Sequence, residues 1–504
     1  MLVSPYAVLS SGTASIWYTV QINLRLFRKE DHLTLQTFSG IVFLAAMAVI
    51  YRFSHKKLRL PVLLAASIAC YAMFSLQMLG MLAAAVAISY VFAICIEKAG
   101  APGAPKKLLL AAALIIHFGE LFVFKYFGFF TGIKLDLVMP VGISFYTFMI
   151  CGYLIDVYRG KVRAERNPAV YAAFICFFPQ VASGPIGRAD SLIPQIKAAK
   201  TPERADIREG ALLFCWGLFL KMVLADNLGI LVDSAYAAPE DVSGLALLIA
   251  AMAYSLQIYC DFAGYSMLAF GAGRLFGIRL IENFHAPYLS LDSREFWRRW
   301  HISLSTWFRD YLYFPLGGSL YGNARRLLNV MIVFTVSGLW HGAAVTFVIW
   351  GALNGVYQVI GILTDRQRTA LHKALHLRED GAVLRLWRRA VTFILMTAAW
   401  IFFRADNIDH ALSIYRGILE LFEGAGAWTM SLDMLGAGRR LVTVIIAALI
   451  VLLVVDLAGE KKPLRERLTG WKWFAAVTFM LCVIFIFGCY GPGFDAQEFV
   501  YFRF

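Results

Sequence analysis

The sequence predicts an all-α polytopic membrane protein of roughly eleven transmembrane helices plus re-entrant segments. Three observations predict it. Of the 504 residues, 60% are apolar or aromatic and only 16% are charged. A soluble domain carries about 25% charged residues, so this chain could not cover a water-facing surface. The mean hydropathy is +0.66. The apolar residues also fall in runs long enough to cross a bilayer, for which a helix needs about 20 residues. The 40 Phe, 22 Tyr and 12 Trp demand burial and exclude a disordered chain. The net charge of +14 is the excess expected of basic cytoplasmic loops, and no nucleic-acid module is present.

The runs lie near 38–54, 60–79, 80–96, 108–124, 137–155, 168–186, 209–232, 243–270, 327–362, 388–403, 441–457 and 471–488. Lys and Arg orient the loops between them. Arg52, Lys56, Lys57 and Arg59 mark a cytoplasmic loop, and two spans return the chain to Lys98, Lys106 and Lys107. The next pair returns it to Arg159, Lys161, Arg163 and Arg166. The run 168–186 has basic flanks and carries Pro179, Gly184 and Pro185, so it reads as re-entrant. Asp233, Glu240 and Asp241 mark an external loop, and the basic stretch from Arg274 to Arg326 returns inside. Run 327–362 starts and ends beside basic residues and, at about 36 residues, suits two short helices meeting within the membrane. The acidic segment 405–438 is expected outside, Lys461 to Lys472 inside, and the tail from Cys489 outside. Residues 1–37, with Arg25, Arg28 and Lys29, form an atypical N-terminal segment read as an interfacial helix. Residues 38–504 form one transmembrane domain.

The eight cysteines lie mostly in or beside apolar runs with no CxxC or metal-ligand spacing, so they read as small hydrophobes. The N-terminus has no signal-peptide pattern. There is no internal repeat to suggest an inverted-repeat transporter, and no Walker A, Rossmann, HExxH or GxSxG motif.

The chemistry concentrates in NFHAPYLSLDSREFWRRWHISLSTWFRDYLYFPLGGS (283–319). Trp297, Trp300 and Trp307 alternate there with Arg294, Arg298, Arg299 and Arg309. One reading is an interfacial belt of Trp and Arg. The other is a pocket gripping a cytoplasmic anion, such as the phosphates of coenzyme A. His301 follows in RRWHISLS, where a buried histidine bonded to a carbonyl is the plain alternative. His341 lies deep in the run FTVSGLWHGAAVTFVIWGALNG, between Gly338 and Gly342. An ionisable side chain at that depth is a functional candidate. His117 and Glu120, three apart, read as a mutually satisfied pair. Gln257, Tyr259 and Asp261 form a polar cluster, with Asp261 read as supporting the site from behind. Histidines in a membrane cavity with a basic aromatic approach suit acyl transfer by general-base catalysis.

The segments PVGISFYTFMICGYLIDVYRG (140–160), FFPQVASGPIGR (177–188), QIYCDFAGYSMLAFGAGRLFGIRLIENFHAPYLS (257–290), EFWRRWHISLSTWFRDYLYFPLGGS (295–319) and VSGLWHGAAVTFVIWGALNG (336–355) resemble the membrane-bound O-acyltransferases (MBOAT), and within them the bacterial alginate O-acetylation branch. The closing EFVYFRF also looks like the family's ending. The likeness runs from about residue 38 to the C-terminus. Residues 1–37 depart from it, and Ala263 and Met267 stand where Ser and Asp are expected.

The resemblance implies an MBOAT-type core with a central tunnel, and an acyl thioester donor, acetyl-CoA or another, entering from the cytoplasm. It implies an acceptor on the external side, either an SGNH-type acetyltransferase partner or the polysaccharide itself. It implies a multi-pass protein of the bacterial cytoplasmic (inner) membrane. The family's signature histidines carry over to His301 and His341 as catalytic residues. Arg298, Arg299, Trp300, Trp307 and Trp340 are expected to bind substrate, with Asp261 and Asn354 behind them. No metal or bound cofactor is expected. The alternatives are a transporter or flippase with His301 and His341 as proton relays, D-alanyl transfer to teichoic acid, and a noncatalytic scaffold.

Overall fold

The computed structural model describes residues 34–490 except 101–102, 134, 183, 380, 423–431 and 461. Most of the 1–37 segment, the middle of the acidic loop 405–438 and nearly all of the C-terminal tail therefore lie outside the described residues. Among those described, the secondary structure is helical with no strand.

The first four helices are α1 (Phe38–Phe53), α2 (Lys56–Ala72), α3 (Leu76–Lys98) and α4 (Ala104–Thr131). The α2–α3 boundary falls earlier than the apolar runs suggest. Ser75 accepts a bond from the Gln77 amide at 3.1 Å and caps α3 there. Next comes α5 (Ile143–Tyr158), then α6 (Pro168–Cys176), which breaks at Phe177 before a short turn at Phe178–Val181. The proline-bearing run is thus interrupted as expected, and its broken backbone is covered by protein: Phe174, Phe177, Phe178 and Gln180 are all buried. Helix α7 (Ala189–Ala198) follows.

Two long helices, α8 (Arg204–Ala237) and α9 (Gly244–Leu275), form the centre. In their apolar windows 89% and 72% of residues are buried, against 17–39% in the other five spans, which therefore face lipid on one side. The two backbones touch where glycines meet. A Cβ on Gly217 would fall 2.7 Å from the Gly264 carbonyl oxygen, and one on Gly264 would fall 2.9 Å from that of Gly217. Beyond them lie α10 (Ser293–Arg299), α11 (Ile302–Phe308), α12 (Gly322–His341), α13 (Val345–Leu363), α14 (Asp365–Ala374), α15 (Ala382–Arg404), α16 (Ile408–Leu419), α17 (Arg439–Gly459) and α18 (Trp471–Phe487).

Seven described helices are long and apolar enough to span a membrane, and α1, α5 and α18 are shorter apolar helices. The estimate of eleven spans is not reached on that measure, because several runs divide into short helices. The long run 327–362 does divide as expected, into α12 and α13 joined at Gly342. Among the described residues, three π-helical turns interrupt the α geometry, at Phe122–Tyr126, Phe219–Ala225 and Arg309–Tyr313.

Candidate active site

His341 is the last residue of α12, and the chain leaves it in extended conformation at Gly342. The turn places His341 at the tip of a tight hairpin with α13. The hairpin closes through glycine: a Cβ on Gly338 would lie 2.2 Å from the Phe347 carbonyl oxygen, and one on Gly351 would lie 2.4 Å from that of Phe334. The His341 ring is held edge-to-face by Trp350 and Phe403, with centroids at 5.0 and 5.3 Å. It is 3% exposed.

His301 arrives from a different element. It precedes α11 with a left-handed backbone, φ 43. That conformation is uncommon for a non-glycine residue and persists only when its surroundings enforce it. Asn283 enforces it. The Ile302 amide donates to the Asn283 carbonyl at 3.0 Å, and the Ser303 amide donates to Asn283 Oδ1 at 3.1 Å. The same Oδ1 lies 3.4 Å from His301 Nδ1. Asn283 Nδ2 in turn donates to Ser266 Oγ on α9 at 3.2 Å. With an amide oxygen facing Nδ1, the neutral imidazole carries its proton there and its lone pair on Nε2. The Phe262 ring packs against the imidazole at 4.6 Å. His301 is 1% exposed.

The fold thus brings the two histidines together across 40 residues of sequence, with ring centroids 6.5 Å apart. Trp340 lies beside both, 6.1 Å from His301 and 4.9 Å from His341.

The other expected residues separate into groups. Trp300 is buried in an aromatic stack with Phe296 at 5.3 Å and Trp400 at 5.0 Å. Trp307 is buried on Phe148, centroids 3.9 Å apart, and donates from Nε1 to the Phe148 carbonyl at 2.9 Å. Both are packed inside the protein and shape the site's walls. Arg299 is ion-paired with Glu295 at 2.5 Å and Glu460 at 3.0 Å, so its charge is already answered. Arg298 is exposed. Asn354 accepts from Trp297 Nε1 at 3.3 Å and donates to the Trp350 backbone carbonyl at 2.8 Å, which ties α13 to α10 one turn from the residue that packs on His341. Asp261 accepts from Lys221 at 2.7 Å, and Lys221 also pairs with Asp226 at 2.8 Å. His117 and Glu120 approach to 4.0 Å, with Tyr146 donating to Glu120 at 3.1 Å.

Three participants escaped the sequence reading. Asn283 opens the stretch singled out there, but its role depends on a turn that only the fold reveals. Lys125 and Tyr126 reach the end of α12 from α4. A lysine inside the apolar stretch GELFVFKYF was the available signal.

A second basic cluster stands at the end of the element that carries His301. Arg188 and Arg159 lie over the Tyr311 ring at 4.6 and 5.5 Å, and Arg188 pairs with Asp310 at 3.1 Å. Tyr311 donates to Asp156 at 2.9 Å. In the adjoining loop, Lys161 donates to Asp190 at 2.8 Å and approaches Asp156 at 3.5 Å, which holds its ammonium above the ordinary lysine range. A cavity of about 580 Å³ opens beside Arg208, Arg279, Glu282 and Trp473, and neither histidine lines it.

Comparison with known proteins follows the same residues. A model of the MBOAT, membrane-bound O-acyltransferase family, matches residues 161–405, which contain both histidines. The chain is 34% identical over 85% of its length to the "Probable alginate O-acetylase AlgI" of Azotobacter vinelandii, covering 85% of that protein. It is 35% identical to the protein of the same name in Pseudomonas fluorescens, over 77% of this chain and 75% of that one. It is also 33% identical to a peptidoglycan O-acetyltransferase of Helicobacter pylori, over 71% and 73%.

Proposed function

This chain belongs to the membrane-bound O-acyltransferase family and is a multi-pass membrane O-acyltransferase; from that premise we propose that it moves an acetyl group from a cytoplasmic thioester across the bacterial inner membrane for O-acetylation of an exopolysaccharide such as alginate. The acceptor is an SGNH-type acetyltransferase partner or the polysaccharide itself. The relatives that cover most of the chain are named for alginate and peptidoglycan O-acetylation, which supports a sugar hydroxyl as the final destination.

The observation that carries the reading is the pairing of two buried histidines from separate elements, with rings 6.5 Å apart. His341 acts as the general base. Its neutral imidazole takes the proton as the acceptor oxygen attacks the thioester carbonyl. The new C–O bond forms, the C–S bond breaks, and the proton passes to the leaving thiolate. His301 holds the thioester end. With Nδ1 turned to Asn283, the neutral ring presents an accepting Nε2, so His301 orients the donor without donating to its carbonyl. A thioester is already activated, and the residues named here suffice for proton transfer.

The decisive experiment is His341→Ala in purified, membrane-reconstituted protein. General-base catalysis is worth about 10²–10⁴-fold, so acyl transfer falls by at least that factor while donor binding persists. Transfer at close to the unmutated rate would return His341 to a packing role and remove the base from the mechanism.

A further inference from the structure

A helix that ends on a catalytic side chain must hold that end still, and the end of α12 lacks the usual means. The last carbonyls of a helix have no partner within it. Many helices satisfy them by curling back through a left-handed residue. Here the chain departs in extended form at Gly342, φ −161 and ψ 151, so the donors come from elsewhere.

They come from α4. Lys125 Nζ donates to the carbonyls of Trp340 and His341 at 2.8 and 2.9 Å. The Tyr126 hydroxyl donates to those of Leu339 and Trp340 at 3.0 and 3.3 Å. Between them, two consecutive residues bind three consecutive carbonyls, ending at His341 itself. The π-helical turn Phe122–Tyr126 contains both donors. Such turns are rare and cluster at functional sites. The Lys125 Nζ also stands at the negative end of the α12 dipole, 5.8 Å from the Trp340 ring centre. A lysine at this depth is expensive unless it has a specific task.

We propose that Lys125 and Tyr126 are positioning residues for acyl transfer: they clamp the C-terminal carbonyls of α12 and so fix the direction in which His341 faces its substrates. The proposal rests on His341 as the general base. The clamp fixes the backbone, while Trp350 and Phe403 fix the ring. Releasing it shifts the base without removing it, and a displacement of about 1 Å can cost on the order of 10²-fold in rate.

The test uses the full chain in liposomes, with acetyl-coenzyme A as donor probe and alginate oligosaccharide as acceptor. Lys125→Met lowers kcat by about 10- to 100-fold with the donor KM nearly unchanged. Lys125→Arg, which keeps charge and donors, recovers most of the loss. Tyr126→Phe gives a smaller fall in kcat alone. An unchanged kcat in Lys125→Met overturns the proposal, as does a loss that appears only as reduced thermal stability with normal turnover per folded molecule. If Lys125→Met does not fold, Tyr126→Phe decides, and a normal kcat there overturns the clamp. His341→Ala runs in parallel. An inactive His341→Ala beside a fully active Lys125→Met removes only the positioning role, whereas an active His341→Ala removes the base assignment itself.

Discussion

At the scale of single residues, His301 separates chemistry from strain. Its left-handed backbone costs a non-glycine residue roughly 1–2 kcal/mol, and Asn283 holds it there. His301→Ala and His301→Gly both remove the imidazole, so acyl transfer fails in both. Their stabilities differ, because glycine adopts φ above zero without penalty. His301→Gly is expected to be about 1 kcal/mol more stable than His301→Ala, measured by thermal unfolding in detergent. Equal stabilities would mean that the turn relaxes when the ring is lost. The two neighbouring arginines separate in the same way. Arg298→Ala, at an exposed position, raises the donor KM more than it lowers kcat, since it removes binding shared by ground and transition states. A fall in kcat alone would move Arg298 into the chemistry. Arg299→Ala instead leaves Glu460 with Arg389 as its remaining partner at 3.3 Å, and its effect is expected on stability. Sequence adjacency gave these arginines one role, and only their partners distinguish them.

At the scale of elements, the α12–α13 hairpin decides whether His341 reaches the site. Its glycines are not interchangeable. A methyl on Gly338 collides with the Phe347 carbonyl, whereas one on Gly361, in the same hairpin, meets nothing within 4 Å. Gly338→Ala is therefore expected to pry the helices apart, lower stability by about 1–3 kcal/mol and reduce acyl transfer. Gly361→Ala leaves activity intact and stabilises slightly, because alanine is the better helix former. If both variants transferred acyl groups normally, the close approach would not matter to catalysis. The division of run 327–362 was legible because basic residues flank both ends and its length of about 36 residues suits two short helices. The limits of α1 and α18 were legible as apolar runs, whereas α9 starts where its run does but continues to Leu275, past the expected end at 270. The clamp on α12 was not, because Lys125 and the carbonyl of His341 are 216 residues apart. Nothing local in either segment names the other. The walls of the site escaped for a related reason. Trp300 and Trp307 are as consistent with an interfacial belt as with a buried stack until Trp400 and Phe148 are placed against them.

At the scale of the whole molecule, the charge pattern sorts the loops into two groups, and the structure ties each group together. Arg59 donates to the Ala199 carbonyl at 2.8 Å, and Lys197 pairs with Glu165 at 2.6 Å. Trp473 donates to the Arg208 carbonyl at 2.9 Å, and Glu460 bridges Arg299 and Arg389. These segments are the ones whose lysines and arginines lead to the expectation of a cytoplasmic side. At the other end, Arg404 pairs with Asp233 at 2.7 Å, and His410 Nε2 meets the Tyr236 carbonyl at 3.0 Å, joining the two acidic segments. Helix α15 connects the groups, with Arg389 near one end and Arg404 at the other. Phe403, against His341, is therefore about 20 Å along the helix from Arg389. The base thus lies toward the acidic end, where an external acceptor would arrive. Single cysteines at positions 462 and 241 test the assignment, both sites being exposed. The exposed Cys482 is first replaced to remove background labelling. In intact cells an impermeant maleimide is expected to label position 241 and to reach position 462 only after the membrane is opened. Labelling of 462 from outside would invert the molecule, put His341 nearer the cytoplasm, and require the thioester and the acceptor to exchange sides.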